Sequence, residues 1–153
     1  SVVLDGNGIM VNSTQPAFIA HNNSNNNHTF SSNDTYEVLA FNVETIDKNS
    51  DFASSTFTAP VDGTYFITTH QMFNAASSGE IRHDLAIYVN STLTLYKQAK
   101  GDNYAIAKSV NLVGLVDLDA SDTVKVYARV SDTSKGRIYV SQTTSTFHGY
   151  LVA

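Results

Sequence analysis

Between Thr123 and Val130 apolar and polar positions alternate: Val124, Val126, Ala128 and Val130 fall on one face, Lys125, Tyr127 and Arg129 on the other. A period of two is that of a β-strand with one buried face. Strand patterns recur over 17–20, 37–43, 64–73, 84–89, 92–96, 104–118, 137–140 and 146–152, nearly all separated by turn residues, and no helical period stands out. The last segment is unusual. Phe147, Gly149 and Leu151 alternate with His148, Tyr150 and Val152, so both faces carry apolar bulk. Such a strand is covered on both sides, and in a two-sheet sandwich the second cover comes from another subunit or another element.

Composition agrees with an all-β reading, since Asn, Ser and Thr are abundant while the helix formers Lys and Glu are scarce. The 153 residues suit one domain. A chain of this size buries about 68 to 70 per cent of its unfolded surface, enough for an unaided core. The chain contains no Cys, which excludes disulfides, thiolate metal sites and a cysteine nucleophile. A net charge of −5 argues against nucleic acid as a partner, and no apolar run approaches the length of a membrane span. The start at Ser1 rather than Met fits a processed or excised chain, from which a targeting or stalk segment would be absent.

Residues 22–35 form one biased segment, rich in Asn, Ser and Thr and poor in apolar residues. They read as a long loop: either a solvated connector, or a contact loop offering amides and hydroxyls to a polar ligand, with Phe30 pinning it to the body. Asn12, Asn22, Asn27, Asn33 and Asn90 head Asn-x-Ser/Thr sequons, a number inflated by composition. The five histidines are scattered singly, without metal-site spacing. Asp117, Asp119 and Asp122 superficially resemble a calcium loop but lack its Gly and terminal Glu; a turn between strands explains them better. No motif therefore supports calcium or another cofactor. Gly6-x-Gly8 is followed by no helix pattern, and no nucleophile elbow or metalloprotease helix occurs, so no enzymatic activity is expected.

Residues 57–66, Phe-Thr-Ala-Pro-Val-Asp-Gly-Thr-Tyr-Phe, set a sharp strand-to-strand corner in which Pro60 presets φ and Gly63 frees it. This spacing resembles the signature of the globular-head domains of the first complement component, which share a jelly roll with the tumour-necrosis-factor ligands. The resemblance runs from about Pro16 to Ala153. Pro16-Ala-Phe18-Ile-Ala20 is similar to the family's opening strand. Val38 to Asn42, then Asn49 to Phe52, resemble its second strand and Asn-containing turn. Leu112 to Leu118, followed by Ser121 to Val124, resembles its apolar strand and polar turn, and Thr146 to Leu151 its ending. The resemblance implies an antiparallel jelly-roll sandwich of about ten strands over 16–153, preceded by a lead-in segment over 1–15. It also implies a homotrimer buried around a three-fold axis, with Tyr65, Phe66, Phe147 and Tyr150 as candidate interface residues.

The family's collagen stalk is absent, and the Asn-rich segment is longer and more polar than expected. The lead-in, Gly8 to Asn12 running into Gln15 to Phe18, is similar to that of bacteriophage and marine-microbial fibre tips, and a cysteine-free chain suits assembly where thiols stay reduced. These features favour a viral or bacterial fibre tip over an animal secreted lectin-like protein, with the chain on a virion surface or outside the cell. Two functional classes remain: a receptor-binding or adhesion head for a cell-surface glycan or protein, and a structural trimerisation cap. For a binding head, loops 22–33 and 99–104 are the candidate contact region. Asn25, Asn27, His28 and Asp102 offer hydrogen-bonding groups to sugar hydroxyls, and Tyr104 a ring to a sugar's apolar face.

Overall fold

The computed structural model describes residues 2–4, 6, 10–12, 14–75, 79–101 and 107–153. Among them the chain forms fifteen strands and no helix: β1 (Val2–Leu4), β2 (Met10–Asn12), β3 (Ala17–His21), β4 (Asn26–Thr29), β5 (Glu37–Val38), β6 (Val43–Asp47), β7 (Phe52–Ala53), β8 (Thr56–Thr58), β9 (Gly63–Ala75), β10 (Ile81–Val89), β11 (Thr92–Gly101), β12 (Lys108–Leu118), β13 (Thr123–Val130), β14 (Gly136–Val140) and β15 (Ser145–Leu151). Every pairing is antiparallel. β1 and β2 pair with each other. One sheet runs β11-β10-β13-β8-β7, with β5 also on β13. The other runs β6-β3-β15-β9-β12, and β4 and β14 prolong the lanes of β3 and β15. The result is the expected jelly-roll sandwich. Its strand number exceeds ten because two lanes are broken and several strands are only two or three residues long.

The alternation over 123–130 is realised residue for residue: Val124, Val126, Ala128 and Val130 are fully buried. They meet Phe18, Phe57, Ile67 and Phe147 in one core between the sheets. Phe18 anchors it, stacked on Phe57 at 4.6 Å and on Phe52 at 5.1 Å, with Phe147 edge-on at 4.8 Å. Gly149 lies against the Phe18 ring; a Cβ there would come within 2.6 Å of Cε1, so this strand position must be glycine.

Two expectations are corrected. The segment 37–43 is not one strand: β5 belongs to the first sheet and β6 to the second, and the chain crosses between them with Leu39 and Phe41 buried on the way. The Asn-rich segment is not all loop. Residues 26–29 form β4, an edge strand held by its backbone ladder to β14, which asks nothing apolar of its side chains. Phe30 pins it as anticipated, 6% exposed in the core.

The corner at 57–66 is fastened from three directions. Tyr65 donates its hydroxyl to the Val61 carbonyl at 2.8 Å. The Ala59 amide donates to Asp122 O, and Ser121 N donates back to Ala59 O. Thr64 N donates to the carbonyl of Ala153. Gly63 (φ 156°) is required mainly by close approach, since a Cβ would lie 2.6 Å from that same carbonyl oxygen. The neighbouring acidic run is a turn. Asp122 accepts from Asp119 N with one carboxylate oxygen and from the Asn90 amide with the other.

His83 sits in the core, 3% exposed, its ring 4.6 Å from that of Phe73 and neither nitrogen hydrogen-bonded among the described residues. Burial, helped by the charge of Lys108, lowers its pKa from 6.5 to about 4. The unfolded chain therefore takes up the proton first, and stability is lost as pH falls from about 6.5 towards 4. That difference corresponds to about 3 kcal/mol once pH is below both values. Urea titrations at pH 7.5 and 4.5 are expected to show wild type losing about 2 to 3 kcal/mol more than His83→Leu. Parallel losses in the two proteins would contradict it.

Candidate functional site

The outward face of the second sheet is apolar where a lone sandwich would be polar. Register places Ala17, Tyr150, Phe66 and Leu115 side by side across β3, β15, β9 and β12. Ile46, Ile19, His148, Thr68 and Val113 form the next row. Phe66 stacks on Tyr150 at 5.2 Å. Leu115 is 61% exposed, Val113 55%, Tyr150 47% and Ile46 40%, so this band faces outward uncovered. A hollow of about 340 Å³ lies within it, lined by Ile19, Ile46, Phe66, His148 and Tyr150 among others. The rows beyond are polar: Thr146, His70 and Asn111 on one side, Thr64 bonded to Asp117 on the other. Burial holds the His148 imidazole below its ordinary value, and the charge of nearby His21 acts the same way. His148 is thus neutral near pH 7, as suits an apolar surface.

Of the four interface candidates, Phe66 and Tyr150 lie on this band. Tyr65 and Phe147 do not. Both are fully buried in the chain's own core and have no surface with which to meet a neighbour. In β9 the phase carrying Tyr65, Ile67 and Phe73 is the buried one, and the Tyr65 hydroxyl reaches the Val61 carbonyl at the corner. Sequence reasoning missed Leu115 and Val113. Their signal was present: in the run Leu112 to Leu118 both faces are apolar, the same double pattern that marks the last strand.

A second, polar hollow of about 170 Å³ opens beside the Asn-rich segment, lined by Asn22, Ser24, Asn26, Asn27 and His28 with Leu39, Ala40, Val140 and Ser145. Asn22 donates its amide to Ala40 O at 2.8 Å and accepts from Ser24 N, fixing the rim. His28 Nε2 and Asn27 Oδ1 are buried and, among the described residues, find no hydrogen-bond partner. His28 lies edge-on to Phe30 at 4.8 Å, and its Nε2 is 3.7 Å from Glu37 Oε2. Burial lowers its pKa, against the opposing pull of Glu37. Asn27 and His28 are therefore brought together at one cavity. Asn25 is exposed in the turn before β4, at φ 49°. Asp102 and Tyr104 lie outside the described residues. Of the sequons, Asn22 and Asn90 have their amide nitrogens engaged in hydrogen bonds.

Sandwich topology, the fastened corner and an apolar outer sheet face define a jelly-roll domain with a surface suited to self-association. A model of the C1q domain matches residues 17–152, and the chain belongs to that family. Among solved structures, the globular domain of a zebrafish complement 1qA protein is similar at a TM-score of 0.60, covering 91% of this chain and 98% of that one at 20% identity.

Proposed function

We propose that this chain is a non-enzymatic, homotrimeric recognition head that acts outside the cell, three copies packing through the β3-β15-β9-β12 face and presenting the Asn-rich segment to a cell-surface glycan or protein. The uncovered apolar band at Phe66, Tyr150, Val113 and Leu115 carries the reading. A lone domain gains nothing from displaying it, whereas burial against two neighbours removes it from water. Trimer formation, ligand binding and an extracellular setting are also usual for C1q domains. The polar hollow at Asn27 and His28, with its unsatisfied groups, supports contact by the 22–28 region. A fibre tip and a secreted animal protein would use the same head, and likeness to an animal complement domain suits the second setting at least as well.

Three weak sites on one rigid body bind a multivalent surface with avidity that one site lacks. On a glycan array and on whole cells, wild type is expected to bind about a hundredfold better than a monomeric Phe66→Asp variant. Equal binding by the two would overturn the role of the trimer in recognition, and no binding by wild type to any glycan or cell would overturn the recognition role itself and leave a structural cap.

A further inference from the structure

The outward face of the first sheet, opposite the apolar band, carries a different chemistry. Tyr88 on β10 and Tyr127 on β13 pack at 4.3 Å, and Tyr36 meets Tyr88 edge-on at 5.7 Å. Tyr96 on β11 is 60% exposed, and register places Ala86 between it and Tyr127. Ala86 itself is fully buried, so this part of the face is made by the rings on either side of it. Among the described residues, no protein group hydrogen-bonds any of these four phenol hydroxyls. Burial raises the pKa of Tyr36 and Tyr88, so these hydroxyls remain donors well above neutral pH.

Charges on this face are distributed in one direction. Its carboxylates are paired with arginines: Asp84 is fully buried and receives Arg129 Nε at 2.6 Å on Oδ2, its Oδ1 finding no hydrogen-bond partner among the described residues, and Asp34 is paired with Arg82. Arg129 also lies over the Tyr36 ring, 4.6 Å from its centroid. Lys125, which register sets beside Tyr88, has no ion pair among the described residues. Among the described residues the face thus presents rings, hydroxyl donors and an unpaired ammonium, with no exposed carboxylate left unpaired. An apolar protein surface would leave those donors unused, as the opposite sheet face would not. A ligand with flat C–H faces and many acceptor oxygens uses all of them, by stacking on the rings and accepting from the phenols and cations.

We propose that the face around Tyr88, Tyr96, Tyr127 and Lys125 binds an acidic saccharide, its sugar rings on the tyrosines and its carboxylate or sulfate at Lys125. This surface is separate from the 22–28 hollow and does not depend on ligand binding there.

Binding would be read by isothermal titration calorimetry, since, among the described residues, only four of the chain's eight tyrosines lie on this face. The full chain would be titrated with a heparin oligosaccharide, a hyaluronan oligosaccharide and a neutral maltooligosaccharide. Wild type is expected to bind at least one acidic probe, weakening with salt, and the neutral one at least tenfold less. Binding of hyaluronan as well as heparin assigns the carboxylate; heparin alone assigns the sulfate. Lys125→Glu and the double variant Tyr96→Ser/Tyr127→Ser are expected to lose tenfold or more while remaining folded by circular dichroism, and Tyr127→Phe less. No acidic probe binding at millimolar concentration, equal binding of the neutral probe, or folded variants that bind like wild type would each overturn the proposal. So would a protein partner captured through Tyr96 when no saccharide binds.

Discussion

Asp84→Ala is expected to be among the most damaging single substitutions in this chain, lowering stability by about 3 to 5 kcal/mol. The carboxylate is fully buried on β10 and gathers two guanidiniums, Arg129 at 2.6 Å and Arg82 at 3.5 Å. Removing it leaves two partly buried cations facing each other with nothing between them, and releases Arg129 from its place over Tyr36. Breaking one side of such a group costs far more than the intact group contributes, because Arg129 is left partly buried without its carboxylate and Arg82 keeps only its pair with Asp34. Asp84→Asn keeps an oxygen for Arg129 and is expected to cost less than Ala. Thermal unfolding of the three proteins at one concentration checks the order; Ala within about 1 kcal/mol of wild type would show that water reaches the arginines freely.

The other large effect concerns assembly. Leu115→Asp and Phe66→Asp each place a charge in the apolar band, three copies of it around the axis in a trimer. Burying uncompensated carboxylates is expensive enough to dissociate a seam of this kind. Both variants are expected to be folded monomers with unaltered β-sheet circular dichroism, since Leu115 is 61% exposed within the chain and Phe66 lies on the same outer row. Phe147→Asp serves as the contrast: it strikes the core and is expected to unfold the domain rather than dissociate it.

How far the fold could be read from residues depended on whether each signal was local. The period of two over Thr123–Val130 needs only neighbouring side chains, and the strand lies where the pattern begins and ends. The double-faced last strand was legible for the same reason. Its inner residues are covered by the chain, while Tyr150 is left to stack on Phe66 at the surface. Corner residues 57–66 were equally plain, because Gly63 and Tyr65 are each demanded by a specific contact. By contrast β4 was invisible, as an edge strand among asparagines owes its form to backbone pairing with β14. The break between β5 and β6 was hidden too, since Leu39 and Phe41 look the same in a strand as in a crossover. Which phase of β9 faces inward was not legible at its start, where the outward Phe66 is as apolar as the buried Tyr65 beside it. The candidate ligand residues were legible only in part: composition singled out Asn27 and His28, but not the approach of Leu39, Ala40 and Ser145 that closes a cavity around them.

Sedimentation equilibrium of the wild-type chain at micromolar concentration tests the trimeric head most directly. A single species of about three times the 16.6 kDa chain mass, reduced to one chain mass by Leu115→Asp, is the predicted result. A wild-type monomer at that concentration, or a trimer untouched by Leu115→Asp and Phe66→Asp, would contradict it.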